Sequence, residues 1–267
     1  MDHLSLEKII NTYLETGRYQ DVSCNGLQIE GRPEVNRIAT AATASLEAID
    51  AAVEAGADAL IVHHGLFWKG ASPRLVGVMH DRVATALAAG LNLYAYHLPL
   101  DAHAELGNNR LLMEMLGALE FDYAVPGEPT SVGMVGRLEE PLSVNEICGI
   151  LCAQLDTRVQ VIGNPPSDLL IEDVAVCSGA GSALLDDNPR PDFDALITGD
   201  VNEQTYHLAA ETGTVVFAVG HHASEQDGVR CLGDYLAQKY GLEHIHLHFA
   251  LEKSVPWYES DDSGSDE

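Results

Sequence analysis

The sequence predicts an α/β protein made of two similar α/β domains with mixed or mostly parallel sheets. Apolar strand-like runs alternate with stretches of helical periodicity along most of the 267 residues. Such alternation is typical of strand–helix–strand units, in which parallel strands are joined by a right-handed crossover. The tripeptide Asp-Ala-Leu begins a predicted strand in each half, at 58–64 and at 194–200. This recurrence indicates that the two halves share an architecture.

The first half begins with an amphipathic helix that ends at Gly17. A strand, a helix and a second strand then follow directly, and they form the first strand–helix–strand unit. The predicted elements of this half are a helix at 5–17, a strand at 36–45, a helix at 46–57, a strand at 58–64, a helix at 78–90, a strand at 91–97 and a helix at 108–119.

The second half repeats the theme. One of its helices opens with a capping box, in which Ser143 and Glu146 satisfy each other's backbone N–H groups. The last predicted strand alternates histidine with apolar residues, which favours a half-buried strand whose imidazoles face solvent over a ladder of metal ligands. The predicted strands are 132–138, 158–163, 173–182, 194–200, 214–219 and 244–251, and the predicted helices are 143–155, 201–213 and 225–241.

The domain boundary is predicted near 125–131, where Pro and Gly interrupt the pattern. The first domain then comprises residues 1–126 together with 229–257, and the second comprises 127–228. Residues 258–267 form an acidic tail that we expect to be disordered, because its last nine residues contain no apolar side chain.

The chain is strongly acidic: it has 41 Asp and Glu residues against 14 Lys and Arg residues, and its net charge is −27. Acidic residues occur along the whole chain, and only four residues are lysine. This pattern favours a halophilic protein, because salt screens the self-repulsion of such a surface. The alternative is an ordinary acidic protein with a charged tail. In either case nucleic acid is a poor partner, because the phosphate backbone binds positive charge.

The sequence predicts a cytoplasmic protein with no membrane span. No window reaches the roughly 18 consecutive apolar residues of a transmembrane helix, and the N-terminus lacks the pattern of a signal peptide. The five cysteines are odd in number and contain no CxxC pair. Free thiols in a reducing compartment are therefore expected.

Imidazoles and carboxylates follow three predicted strands. His63 and His64 end one strand, Asp101 follows the next, and His221 lies four residues before Glu225 after a third. Strand ends can aim such side chains into a crevice, where they can bind a metal. Each residue also has a structural interpretation, since Glu225 suits a helix N-terminus and Asp101 suits a turn. A glycine after the first pair allows the strand to end, so that both rings can reach one site.

Five further residues are candidates for orienting ligands or contacting substrate. They are His97, His103, Ser178, Thr198 and His222. The two loop histidines either orient ligands or are satisfied polar residues. Ser178 opens a glycine-rich turn that either brings backbone amides to a phosphate or makes a tight connection between a strand and a helix.

Six motifs occur in an order that resembles the Nif-three-like family, often labelled type 2 GTP cyclohydrolase I homologues. The motifs are NGLQIEG, IVHHGLFWKG, YHLPLDAHAELGNN, CSGAGS, DALITGD and GHHASEQDGVR, and the resemblance extends to about residue 250. It implies two α/β domains with a dinuclear metal centre in the cleft between them. It also implies a ring-shaped homohexamer that is a trimer of dimers.

Carried over by motif, the resemblance implies that the metal ligands are His63, His64, Asp101, His221 and Glu225. Glu225 is the expected bridging carboxylate, and His222 belongs to the motif without being an expected ligand. Nitrogen and oxygen ligands suit two divalent ions of Zn, Mn, Fe, Co or Ni.

The expected function is a metal-dependent hydrolase that acts on a nucleotide or a phosphoester-like small molecule. The GTP cyclohydrolase label enters by resemblance only, because no residue in the sequence is recognisable as a reader of guanine. The alternative is a non-enzymatic metal-binding or regulatory protein that forms rings. The sequence identifies neither the substrate nor a catalytic residue beyond the ligands.

Overall fold

Eleven strands form two sheets in the computed structural model, which describes residues 1–125, 127–128, 130–186, 191–249 and 251. The strands are β1 (Gly26–Ile29), β2 (Arg37–Thr43), β3 (Ala59–His64), β4 (Asn92–Ala95), β5 (Ala118–Tyr123), β6 (Met134–Ser143), β7 (Gln160–Ile162), β8 (Leu170–Cys177), β9 (Ala195–Thr198), β10 (Val215–Ala218) and β11 (Glu243–His246).

Helices connect most of these strands, and Thr16–Arg18 adds a short 3-10 turn. The α-helices are α1 (His3–Tyr13), α2 (Leu46–Glu54), α3 (Val78–Ala89), α4 (Leu98–Asp101), α5 (Asn108–Met115), α6 (Val144–Leu155), α7 (Ala183–Asp186), α8 (Glu203–Thr212), α9 (His221–Ser224) and α10 (Asp227–Tyr240). Among the described residues, none of these helices is long and apolar enough to cross a membrane.

The first sheet has the order β1-β4-β3-β2-β11. Its strands are parallel except β1, which pairs antiparallel with β4. Side chains alternate between its two faces. Ile38 and Ile61 pack with α1 and α10 on one face, whereas Ala39 and Leu60 pack with α2 and α3 on the other. Helices therefore cover both faces, as the continuous apolar strands require.

The second sheet has the order β5-β6-β8-β9-β10-β7. The pairs β8–β9 and β9–β10 are parallel, and the remaining pairs are antiparallel. Ile197 and Phe217 pack with α5 and α6, whereas Leu196 and Val216 pack with α7 and α8 on the opposite face. Two mixed sheets with helices on both faces confirm the predicted α/β class. The predicted capping box at the start of α6 is also present.

Three details differ from the sequence predictions. The edge strands β1 and β5 were not predicted, and β5 pairs with β6 in the second sheet. The prediction that the β11 imidazoles face solvent was wrong. His244 and His246 point inward and share Thr40 Oγ1 at 2.8 and 2.9 Å, while Ile245 is 40% exposed.

The domain bounds themselves stay a prediction. Strand β11 joins the first sheet after the chain has completed the second. The predicted tail at 258–267 lies outside the described residues.

Candidate metal centre

Three segments that follow parallel strands bring the predicted ligands together. His63 and His64 end β3, and Asp101 ends α4, the short helix that follows β4. His221 begins α9 after β10, and Glu225 follows that helix directly. The carboxyl ends of parallel strands commonly form such sites, because the loops that leave them are free to aim side chains. Side chains from both sheets therefore meet at one point.

One oxygen, Glu225 Oε2, lies at the centre of this group. It lies 3.0 Å from His221 Nε2, 3.1 Å from His64 Nε2 and 3.6 Å from His63 Nε2. Asp101 Oδ1 lies 3.5 Å from the same nitrogen of His63. All five side chains are thus within one cluster, and Glu225 is the member that contacts every histidine in it.

Each of these imidazoles turns Nε2 inward because a partner outside the cluster holds Nδ1. The Nδ1 contacts are His63 with the carbonyl oxygen of Tyr96 at 2.9 Å, His64 with Thr43 Oγ1 at 3.2 Å, and His221 with Asp200 Oδ2 at 2.6 Å. A carbonyl or carboxylate on Nδ1 fixes the tautomer and leaves the Nε2 lone pair available for a metal.

Two buried atoms of the cluster, His63 Nε2 and Glu225 Oε2, lie close to other cluster members but make no hydrogen bond of normal geometry within the described structure. His63 is fully buried, and Glu225 is 3% exposed. Buried polar atoms are normally satisfied, so these two fit atoms that a cation would bind. The nitrogen and oxygen donors form three groups whose ligand atoms lie within 4.8 Å of one another, namely His63–His64–His97, His64–His221–Glu225 and His63–Asp101–Glu225.

The carboxylates and imidazoles change one another's proton affinity in the metal-free protein. Burial lowers the pKa of His63, but the carboxylates of Asp101 and Glu225 outweigh it and raise the pKa to about 9. Contact with Glu225 likewise raises the pKa of His221 to about 9. Burial raises the pKa of Glu225, but the neighbouring imidazoles hold it well below its usual value. The centre therefore already attracts positive charge.

A glycine makes room for the shared carboxylate. A β-carbon on Gly179 would overlap Glu225 Oε1, and the residue has a positive φ of 55°. The glycine-rich turn that the sequence linked either to phosphate or to a tight connection thus lies directly against the cluster. Its first residue, Ser178, donates a hydrogen bond of 3.1 Å to Asp101 Oδ1. This contact ties a turn of the second sheet to a ligand candidate of the first.

Two asparagines that the sequence analysis did not single out support Asp101. Asn108 Nδ2 donates to Asp101 Oδ1 at 2.8 Å, and its own Oδ1 accepts from the backbone of Gly228. Asn109 Oδ1 accepts from the backbone N–H of Ser178 at 2.7 Å. Both asparagines are fully or almost fully buried. Two adjacent polar residues at the start of an otherwise amphipathic helix were the only signal of this role.

The remaining sequence candidates lie at different distances from the cluster. His97 and His222 line the adjoining cavity, and His97 is also part of the three-imidazole group. Thr198 is buried below the cluster, with its hydroxyl 3.4 Å from the carbonyl oxygen of Gly179. His103 is not part of the cluster, because its Nε2 bonds to the backbone of Tyr13 at 3.2 Å.

Comparisons with known proteins agree over almost the whole chain. The model of the family Duf34/NIF3 (NGG1p interacting factor 3) matches residues 1–253. Proteins named "GTP cyclohydrolase 1 type 2 homolog" are similar: that of Pseudomonas aeruginosa is 42% identical over 237 residues, covering 88% of this chain and 92% of the relative. That of Escherichia coli K12 is 42% identical over 243 residues, covering 91% and 96%.

Solved structures show the same fold. The solved structure of the protein ybgI, described as of unknown function, has a TM-score of 0.87 and 40% identity, and the match covers 92% of this chain and 98% of that one. The protein TTHA1606 from Thermus thermophilus has a TM-score of 0.84 and 33% identity, with 93% and 98% covered.

Proposed function

Because this chain belongs to the Duf34/NIF3 family, we propose that its cluster of histidines and carboxylates binds two divalent metal ions and acts as a metal-dependent hydrolase. The observation that carries the proposal is the shared carboxylate. Glu225 belongs to two of the three ligand groups, one with His63 and Asp101 and the other with His64 and His221. A carboxylate common to two groups can bridge two ions, which supports a dinuclear site.

Each group contains the donors that a hydrolytic metal needs. One group would offer an imidazole and two carboxylates, and the other two imidazoles and one carboxylate. No thiolate takes part in these groups, so the set suits Zn, Mn, Fe, Co or Ni. When bound, such ions supply Lewis acidity and a water that ionises near neutral pH.

The protein's own residues fix the geometry of this chemistry. Asp200 holds the ring of His221 from outside, and the carbonyl of Tyr96 holds that of His63. Asn108 and Ser178 hold the carboxylate of Asp101. Because these hydrogen bonds hold the ligand candidates in place, little ordering remains to be paid for when a metal binds.

The proposed substrate class is a nucleotide or a phosphoester-like small molecule. A cavity of about 520 Å³ adjoins the cluster, and this volume suits a small molecule. The named relatives carry a GTP cyclohydrolase label, which supports a nucleotide without identifying one.

The experiment combines metal analysis with turnover. Protein purified without chelators is analysed for transition metals, then loaded with Zn²⁺ or Mn²⁺ and assayed on nucleotides and on nitrophenyl phosphoesters. We expect two ions per chain and turnover that Glu225→Gln abolishes. A fully metallated protein that turns over no compound in the panel would contradict the hydrolase and favour the non-enzymatic ring-forming alternative.

A further inference from the structure

One wall of the cavity beside the cluster is made of rings. Trp68 and His97 meet at 5.1 Å between centroids and at 79° between planes. The ring of Trp68 also lies 6.0 Å from that of His64. Trp68, His97, His64, His221 and His222 all line this cavity. A flat indole therefore stands next to the ligand candidates and lines the same cavity.

Polar contacts behind the wall hold both rings. The indole Nε1–H of Trp68 donates to the carbonyl oxygen of Gly65 at 3.0 Å. His97 Nδ1 donates to Asp21 at 2.8 Å, and this carboxylate also accepts from the backbone N–H of Leu98. Because its only polar hydrogen is already used, the indole offers the cavity an apolar surface. A ring fixed in advance binds a second ring with little further loss of entropy.

The backbone around Trp68 is fixed as well. Cys24 N–H donates to the carbonyl oxygen of Phe67, and Lys69 N–H donates to that of Val22. The segment that carries the indole is therefore paired with the loop that supplies Asp21. The position of Trp68 is therefore fixed by hydrogen bonds of both its ring and its backbone neighbours.

In the described part of the chain, the cavity offers an anionic ligand no lysine or arginine, and its imidazoles must be neutral to bind metal. Among the described residues that line it, none is Lys or Arg; the lining is Thr43, His64, Trp68, His97, His221, His222 and Leu251. The chain as a whole carries a net charge of −27. Two divalent ions beside the carboxylates of Asp101 and Glu225 would leave only two positive charges in excess, enough to offset one phosphate but not three.

We propose that this cavity binds a planar ring compound of low charge, stacked on Trp68, and that a nucleoside triphosphate is a poor ligand. The ligand class is a nucleobase, a nucleoside or an aryl or nucleoside monoester. This inference rests on the proposed metal function for the reaction, but the stacking itself needs no metal. Stacking of a base on an aromatic side chain is worth between about 5-fold and 150-fold in affinity.

The test uses the fact that the chain contains only two tryptophans. In a Trp257→Phe background Trp68 is the sole indole, so its fluorescence reports on the cavity. Guanosine, guanosine monophosphate and GTP are titrated in dilute and in molar salt. We expect guanosine to quench the fluorescence and to bind more tightly than GTP in dilute salt, with a smaller difference in molar salt because screening reduces the repulsion.

Equilibrium dialysis measures the contribution of Trp68 directly. Trp68→Leu should weaken guanosine binding by at least about 5-fold, and Trp68→Phe, which keeps a ring, should weaken it less. GTP binding more tightly than guanosine in dilute salt, or equal guanosine affinity in Trp68→Leu and wild-type protein of equal metal content, would overturn the proposal. So would the absence of any guanosine binding. Glu225→Gln separates the two ideas, because it should lose metal and turnover while it retains the quenching.

Discussion

Replacing Glu225 with glutamine tests the candidate centre most directly. Glutamine keeps the size of the side chain but removes the negative charge that lies within 3.6 Å of the Nε2 atoms of all three clustered histidines. Because the same carboxylate belongs to two ligand groups, its loss should weaken the binding of both ions rather than of one. His222→Ala is the matched control, since His222 lines the cavity but belongs to none of the three ligand groups.

The size of the effect follows from charge and distance. Two unit charges about 4 Å apart attract by about 4 kcal/mol at an effective dielectric constant of about 20. A divalent ion doubles that gross attraction. Part of the loss is offset in the variant, because the cost of burying a charged carboxylate disappears with the charge. Changes that only reorient a ligand lower metal affinity by about 10- to 100-fold. Removal of the shared carboxylate should therefore lower affinity by at least about 100-fold.

The assay is competition for Zn²⁺ against a chromophoric chelator, together with elemental analysis of the purified proteins. Near-ultraviolet circular dichroism shows whether each variant retains its tertiary packing. We expect Glu225→Gln to lose both ions and His222→Ala to keep them. If His222→Ala strips the metals while Glu225→Gln retains two, the assignment of the shared ligand is wrong.

Four further outcomes are expected. Metal affinity should rise with pH up to about 9, because the pKa values of His63 and His221 are raised to about 9 and a protonated imidazole cannot bind metal. Metal binding at neutral pH should therefore release protons, which calorimetry in buffers of different ionisation enthalpy counts. A metal affinity that does not change with pH would contradict this. Asp200→Asn should weaken Zn²⁺ binding by about 10- to 100-fold, with unchanged affinity as the contrary result. Light scattering in high salt should give a hexamer, and a monomer mass there would refute the proposed ring. The melting temperature should rise from dilute to molar salt and should do so equally after deletion of residues 259–267, whereas a salt-independent melting temperature would remove the basis for a halophilic origin.

Local pattern predicted most of the secondary structure. The apolar runs that became β3 and β10, and the Ser143 capping box of α6, are features of a few consecutive residues. The missed strands β1 and β5 lie at the edges of their sheets, and β5 begins inside the segment 108–119 that was predicted to be a helix. His244 shows that a local pattern can also predict the wrong orientation of a side chain. Its partners Thr40 and Asp234 come from other elements, so its alternation with apolar residues indicated the wrong face.

The sequence by itself determined which side chains stand at the ends of strands, because each strand and its terminal glycine are local. Motif resemblance then grouped His63, His64, Asp101, His221 and Glu225, and the structure brings these five together, although metal binding at them stays a prediction. Only the tertiary structure decided that Glu225 Oε2 is the common point and that Asp200 and Ser178 hold the ligand candidates in place. The contacts of Glu225 with His63 and His64, and that of Ser178 with Asp101, join residues that are far apart in the chain and follow strands of different sheets. Such distances depend on how the two sheets pack, which no local pattern of residues records.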